Sequence, residues 1–524
     1  MPPQARLDQQ RILVRELRAR LAQRRAPVRV FETHISWVLV AGPFAWKIKK
    51  ALAPGFLDFT TLASRRFHCL EELRLNRRLA PDLYLEVVPI TGSAHEPLLC
   101  GAGDPIEYAV KMRAFEQSAL WSARLSEGLL SAEKIDALAQ LLASFHGRAA
   151  AAPAGAEWGN PEVQRAIAEE NFAGIAALLQ PQDAATLGRL RDWEAAERRH
   201  LDGIFRERKR RGMVRECHGD LHAANILTQD GRVQAFDCIE FNARMRWIDV
   251  LNDVAFACMD LAFRGRPDYA ARLLNRYLAE SGDYAGLAVW RYYLVQRALV
   301  RCKVALLRAR QGEQADAGAG ADQEAHRYLM LAWRSTRPAA PAIVIMHGLA
   351  GCGKSTFAAR LAEATGAVCL RSDVERKRMH GLNAAARGSA ALYAEQATRA
   401  VYLRLSECAR QIVAAGYPAI VDAAFLQPAQ RAAMRRLAAQ LRARFVIVDL
   451  HADERVLRER VAARARQGRD ASDADLGVLE RQLAAYVRLT AEEATEAVSV
   501  DAESWDAGLA RIGSLIGEGA DDER

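Results

Sequence analysis

Residues Cys217 to Leu227 read CHGDLHAANIL. Within them His218, Asp220, Leu221 and Asn225 keep the spacing H-x-D-L-x-x-x-N. Asp220 can take or orient the proton of an acceptor hydroxyl, and Asn225 can bind a divalent cation from the turn that follows. Ile226-Leu227, Thr228-Gln229-Asp230-Gly231 and Val233 to Phe236 predict a hairpin about a D-G turn. That hairpin returns the chain to Asp237, placed to be a second metal ligand.

The spacing is that of a protein-kinase catalytic loop with glycine in place of the arginine of H-R-D. Such a motif also arises by chance, with His218 and His222 as satisfied polar residues near a turn. A metal pair made of the two histidines lacks a third ligand or an HExxH context. Chain order supplies the remaining parts. Phe44-Ala45-Trp46-Lys47 mirrors V-A-I-K, so Lys47 can pair with nucleotide phosphates, and Glu72 on RRFHCLEELRLNRRL is its natural partner. Glu71 and Lys49 are near alternatives. Gly219 has no side chain to link the loop to a phosphorylated segment, which predicts a loop assembled without phosphorylation.

With these parts in place, residues 25 to 310 resemble the aminoglycoside phosphotransferase and fructosamine kinase family, which reads H-G-D-L-H-x-x-N at this point. The resemblance implies a kinase-like fold acting on small molecules, and an aspartate-led metal motif matched by Asp237-Cys238-Ile239. FETHISWVLVAGPFAWKIKK departs from the G-x-G-x-x-G loop of kinases.

A second phosphate motif lies more than a hundred residues downstream. Gly348-Leu349-Ala350-Gly351-Cys352-Gly353-Lys354-Ser355, followed by Thr356, fits GxxxxGK[ST] between the strand AIVIMH and the helical run TFAARLAEA. Its backbone N–H groups can wrap phosphates at a helix N-terminus, with Lys354 on the β and γ phosphates and Ser355 on Mg2+. Asp373 closes VCLRSD as a candidate base, and Asp422 closes AIVD as a candidate metal residue. Each is equally a cap of the next helix. Arg460, Arg464, Arg466 and Arg469 in RERVAARARQGRD can fold over a transferring phosphoryl group, or simply face solvent. Residues 341 to 510 resemble the AAA_33 group of P-loop kinases, relatives of polynucleotide kinase and gluconate kinase. There a strand ending in Ser-Asp precedes a basic run, here Arg376-Lys377-Arg378. The resemblance implies ATP-dependent transfer to a hydroxyl with Asp373 as base.

The bulk composition agrees with an enzyme of several domains. The 524 residues are 51% apolar and 26% charged, with a net charge of +9 whose basic residues are interleaved with acids. A nucleotide or phosphorylated small molecule accounts for that charge as well as a nucleic acid does, and is favoured. Nine scattered cysteines, no signal peptide and no apolar span predict a reduced cytoplasmic protein. The fold expected is an α+β protein-kinase-like domain over 1–310, a connection over 311–340, an α/β P-loop NTPase domain over 341–510 and a tail over 511–524. The order resembles bacterial proteins described as bifunctional aminoglycoside phosphotransferase and ATP-binding proteins. ATP and Mg2+ are the expected cofactors and a small-molecule hydroxyl the expected acceptor; oligomeric state is unreadable from the sequence. The alternatives are a nucleotide-sensing role for one domain, or a polynucleotide 5′-hydroxyl kinase in the P-loop half. Glu240, Asp249, Asp253 and Asp260 are candidates to line an acceptor pocket, or helix-packing acids.

Overall fold

A computed structural model describes residues 3–24, 27–53, 58–311, 315–383, 386, 388, 390–467, 474–501 and 504–517. They fall into two compact units, Met1–Asn160 with Arg208–Ala257, and Pro161–Glu207 with Cys258–Arg524.

In the first unit, strands β1 (Arg29–Glu32), β2 (Ser36–Ala41), β3 (Phe44–Lys49), β4 (Tyr84–Gly92), β5 (Pro97–Leu99) and β6 (Glu107–Arg113) form one antiparallel sheet. Its order is β1-β2-β3-β6-β4-β5. β2 and β3 form a hairpin closed by Gly42-Pro43, with Gly42 at φ 57°. Alternation along β3 sends Trp46 and Ile48 to one face and Ala45, Lys47 and Lys49 to the other. The first face packs on Leu13, Val14, Leu17 and Leu21 of the helix Pro3–Arg24, an element the sequence reading did not anticipate. The second face meets the helix Leu62–Asn76, whose Cys69 joins Ala45, Val110 and Met112 in a separate core. Thr61 caps that helix by accepting from the Ser64 amide.

A short pair, β7 (Val214–Glu216) with β10 (Trp247–Asp249), brackets the expected hairpin of β8 (Ile226–Gln229) and β9 (Arg232–Ala235). The turn between β8 and β9 is Asp230-Gly231, both at positive φ, as a two-residue D-G turn requires.

In the second unit, β11 (Ala342–His347), β12 (Val368–Arg371), β13 (Ala419–Asp422), β14 (Arg444–Leu450) and β15 (Ala497–Val500) form the expected parallel sheet, in the order β12-β13-β11-β14-β15. β15 is additional to the four strands read from the sequence. Ala342, Val344 and Met346 on one face of β11 pack with Phe357 and Leu361 of the helix Lys354–Thr365. Residues 511–517, read as tail, continue the helix Trp505–Gly517 and bury Ile512 and Ile516 in this same core. The connection over 311–340 carries the helix Ala315–Ser335, with Ala325, Tyr328, Leu329 and Ala332 buried.

The edge strand β12 is covered rather than open. Asn275, on the helix Pro267–Ser281, donates to the Ala367 carbonyl at 3.0 Å and accepts from the Cys369 amide at 2.7 Å, so one side chain satisfies both edge groups. Arg272 pairs with Glu363 at 2.7 Å beside it. Residues 161–210 and 245–311 are largely helical, as Pro161–Ala176, Ala184–Arg210, Val250–Phe263, Pro267–Ser281 and Leu287–Gln311. No described helix is long and apolar enough to cross a membrane, and the nine cysteines are free.

Arg431 is the largest buried charge of the P-loop unit, at 1% exposure. It makes two hydrogen bonds to Glu493 (2.8 and 2.9 Å) and donates to the Phe425 carbonyl at 3.0 Å, fixing the turn after β13. Removing it strands a largely buried carboxylate, so Arg431→Ala is expected to destabilise this half by at least about 3 kcal/mol, read as a lower urea midpoint.

Candidate active sites

Because Lys47 and Lys49 stand two residues apart on β3, both reach the face covered by the helix Leu62–Asn76. Glu72 on that helix is fully buried between them. Lys47 Nζ lies 2.8 Å from Glu72 Oε1, and Lys49 Nζ donates to Glu72 Oε2 at 2.7 Å. Lys47 also donates to Asp237 Oδ1 at 2.5 Å, and Lys49 to Glu240. The geometry selects Glu72 over Glu71, which turns outward to Arg74 (3.0 and 2.9 Å). Burial alone would raise the Glu72 carboxyl, but the two ammonium groups outweigh it and hold it at about 2. Burial raises Glu240 above the usual carboxylate range, and Lys49 offsets this in part.

The loop after β7 is held from below by Asp253. Its carboxylate accepts from the backbone amides of His218 (2.9 Å) and Gly219 (2.8 Å), while His146 Nε2 lies 3.2 Å away. His218 is fully buried, which lowers its pKa and leaves a neutral ring. Nε2 therefore donates to the Phe236 carbonyl at 2.8 Å, while Nδ1 accepts from the Asp220 amide at 3.3 Å. Asp220 itself is 35% exposed in its side chain, with His222 Nε2 at 3.4 Å.

Gly219 has a positional reason of its own. Its φ is +88°, and a Cβ there would stand 2.7 Å from the Met245 carbonyl oxygen. An arginine at this position is excluded by backbone geometry, whatever partner it might have reached.

Asn225 donates through Nδ2 to the backbone and side-chain oxygens of Asp220, both at 3.0 Å. That leaves Oδ1 as its donor atom for a metal. Asp237 sits at φ +62°, a left-handed conformation uncommon for aspartate, with its amide donating to Tyr84 Oη at 3.2 Å. The next amide, of Cys238, donates to Asn76 Oδ1 at 2.9 Å. An amide oxygen and a half-exposed carboxylate are hard donors that suit Mg2+. Three carboxylates (Glu72, Asp237 and Glu240) face two lysines, leaving one negative charge in excess for a cation to balance.

The last turn of the helix Leu62–Asn76 and the residues after it are tied to the same loop. The Glu216 carboxylate, one residue ahead of CHGDLHAANIL, receives Arg74 at 3.0 and 2.8 Å, Arg78 at 3.2 Å and Arg246 at 3.2 Å. At the phosphate end, the turn from β1 to β2 has no glycine. Thr33 Oγ1 accepts from the Ser36 amide at 3.0 Å, and Lys50 binds Glu32 at 2.7 Å and the Thr33 carbonyl at 2.5 Å.

The downstream motif forms the expected strand, loop and helix. Gly348 ends β11 at φ +139°, where a Cβ would meet the Leu450 carbonyl oxygen at 2.6 Å. Leu349, Ala350, Gly351, Cys352 and Gly353 complete the loop, and Lys354, Ser355 and Thr356 open the helix. Lys354 folds back to donate to the carbonyls of Gly348 (2.9 Å) and Leu349 (2.7 Å). The Ala350 amide donates to Gln482 Oε1 at 2.8 Å, from the helix Leu476–Ala485.

Asp422 ends β13 and is buried, with Arg371 Nε 3.4 Å from Oδ2. Asp373 does not end a strand as expected: β12 stops at Arg371, and Asp373 is half-buried in the first turn of the helix Ser372–Met379. An acid there suits the positive end of the helix. Of the four arginines, Arg460 reaches the Gly351 carbonyl at 3.4 Å, Arg464 the Ala474 carbonyl at 3.1 Å, and Arg466 the Ala462 carbonyl of its own helix at 3.4 Å. Arg469 lies outside the described residues. The basic run is structural: Arg376 donates to the Leu392 carbonyl at 2.7 Å, and Arg378 pairs with Glu375 and caps carbonyls of Ala279 and Glu280.

The sequence reading missed Lys49 with Glu240 as a second ion pair, Asp253 as the anchor of the loop, and Gln482 on the phosphate loop. The four acids offered for an acceptor pocket are buried and engaged: Glu240 by Lys49, Asp249 by Arg208 (2.5 and 2.8 Å), Asp253 by loop amides and Asp260 by Arg264 (3.0 Å). They are packing acids, because a carboxylate this deep requires a partner.

Comparison with known proteins bears on both sites. The family model of the phosphotransferase enzyme family matches residues 68–290, and that of an AAA domain, AAA_33, matches residues 343–489. An uncharacterized protein of Mycobacterium tuberculosis H37Rv is 33% identical over 451 residues, spanning 84% of this chain and 87% of that protein. An uncharacterized protein of Mycobacterium bovis matches to the same extent. Among solved structures, a choline/ethanolamine kinase family protein from Mesorhizobium loti aligns over 62% of this chain and 99% of its own, at 14% identity and TM-score 0.37. A gluconokinase from Sinorhizobium meliloti 1021 aligns over 33% of this chain and 95% of its own, at 23% identity and TM-score 0.25.

Two outcomes follow from the loop geometry. Gly219→Ala is expected to cost about 1–3 kcal/mol in urea unfolding, from the left-handed φ and the Met245 contact. Burial raises the Asp253 carboxyl, but its hydrogen bonds to His146 and the His218 amide outweigh this and lower it to about 2. A depressed carboxylate contributes stability above its ordinary pKa near 4 and loses it as the pH falls through about 2. Asp253→Asn is therefore expected to flatten acid unfolding in that window, measured by circular dichroism against pH.

Proposed function

The chain belongs to the family that these uncharacterized mycobacterial proteins share, and on that footing we propose that it is an ATP-dependent phosphotransferase with two nucleotide sites. One lies in a kinase-like domain over 1–310 and the other in a P-loop domain over 341–517, and each passes a γ-phosphoryl group to a small-molecule hydroxyl. The observation that carries this reading is Lys47 Nζ, held between Glu72 and Asp237 on the side of the sheet that faces the helix Leu62–Asn76. A lysine so placed can pair with phosphates without losing its orientation.

In the first site Asp220 accepts the proton of the acceptor hydroxyl. The hydroxyl oxygen forms a bond to the γ-phosphorus, the bond from that phosphorus to the bridging oxygen breaks, and ADP leaves with the electron pair. Asn225 and Asp237 would hold Mg2+, which when bound would supply charge neutralisation on the phosphates. Lys47 orients those phosphates, and Asp253 keeps the loop amides fixed beneath Asp220.

In the second site the loop amides from Gly351 to Ser355 bind the phosphates, with Lys354 turning from its carbonyls to the β and γ groups. Ser355 and Asp422 would hold Mg2+, Asp373 serves as base, and Arg460, with Arg464 and Arg466 on the same helix, approaches the loop.

Asp220→Ala and Lys354→Ala, made separately, test the assignment by ATP consumption against a panel of hydroxylated metabolites. Each is expected to remove transfer from its own site by about 10³-fold or more, leaving the other active. Unchanged turnover in both variants would overturn the two-site reading. Nucleotide binding at the P-loop half with no Lys354-dependent transfer would favour sensing.

A further inference from the structure

Glu72 is shared by two lysines, and the second has no part in the reaction outlined above. Lys49 is 1% exposed, with Nζ bonded to Glu72 Oε2 and Glu240 Oε1 and 5.2 Å from the Phe59 ring centre. Glu240 is 5% exposed and lies three residues beyond Asp237. A lysine this deep is costly to bury and is retained only where its partners are fixed.

The two lysines differ in what catalysis asks of them. Lys47 must turn to phosphates and Asp237 to a metal, so the contact between them has to open. Glu72, fully buried, would then share Lys47 with the phosphates and keep Lys49 as the cation that does not change partners. Lys49 does not move, because Glu240 holds it from the other side.

We propose that Lys49 and Glu240 are positioning residues, a clamp that keeps Glu72 and the helix Leu62–Asn76 in the nucleotide-competent position while Lys47 and Asp237 change partners. This rests on the reading of Lys47 and Asp237 as nucleotide and metal residues. The clamp accounts for two features together. The last turn of the helix is held from two sides, by Lys49 at Glu72 and by Glu216 at Arg74. In addition, Glu240 sits in the same short segment as Asp237, so the fixed and the exchanging carboxylates share one backbone anchor, the Cys238 amide on Asn76.

The test uses the full chain with Lys354→Ala as background, so that nucleotide reports on the first site. Dissociation constants for a fluorescent Mg2+·ATP analogue and amide exchange over residues 62–76 are measured for Lys49→Met, Lys49→Arg and Glu240→Gln. Lys49→Met is expected to weaken nucleotide binding about tenfold or more, and to speed exchange over 62–76 chiefly when nucleotide is bound. Lys49→Arg, which keeps the charge, is expected to restore both, and Glu240→Gln to shift both in the direction of Lys49→Met. If Lys49→Met does not fold, the near-isosteric Glu240→Gln carries the test alone. Unchanged affinity, or exchange that rises equally with and without nucleotide, would overturn the clamp. Lys47→Met separates the two failures: if it leaves nucleotide affinity intact, the nucleotide reading of this site is what fails.

Discussion

The upstream half depends on charges that would be costly to bury singly. Lys47, Lys49, Glu72, Asp237 and Glu240 meet between a strand, a helix and the segment after β9, and none of the buried ones is tolerable without its partners. Their mutual dependence fixes three elements at once. It sets which face of the helix Leu62–Asn76 turns inward, it holds β3 in register under that helix, and it brings the chain after Asp237 back beneath the sheet. The cluster holds one carboxylate more than it holds lysines.

A second constraint acts through the backbone. CHGDLHAANIL is suspended from the carboxylate of Asp253, and its glycine is required by a left-handed φ and by the nearby Met245 carbonyl. The exchange of arginine for glycine, first readable as the loss of a link to a phosphorylated segment, thus has a local steric cause. Both accounts converge on one consequence: the loop is held by neighbouring elements of its own fold. The P-loop half is built on similar terms, with Gly348 pressed against the Leu450 carbonyl and Asn275 covering the edge of β12.

Much of this was legible in the residue order. Lys47, Glu72, Asp220, Asn225 and Asp237 follow one another at kinase spacing, and the D-G turn at Asp230-Gly231 announced the hairpin between them. The phosphate loop from Gly348 to Ser355 was equally plain, because glycine positions and the strand and helix around them are local properties of the chain. Other features could not be read so. Whether Glu71 or Glu72 points inward depends on how the helix is rotated against the sheet, and one residue turns it by about 100°. Lys49 with Glu240 and His146 with Asp253 are pairs more than a hundred residues apart. Asp373 was placed at the end of a strand because VCLRSD opens with the apolar run Val368-Cys369-Leu370, but the pairing with β13 stops at Arg371.

The sequence by itself determined the two phosphate motifs, their order and the fold class of each half, since these rest on short-range spacing and on the periods of helix and strand. Tertiary structure decided which charges became partners. The acids Glu240, Asp249, Asp253 and Asp260 look alike in the sequence, and only packing gave one a lysine partner, one the backbone amides of the loop after β7 and two the partners of arginines. The physical reason is desolvation: a carboxylate's role follows from what surrounds it once water is gone, and that is set by residues distant in the chain.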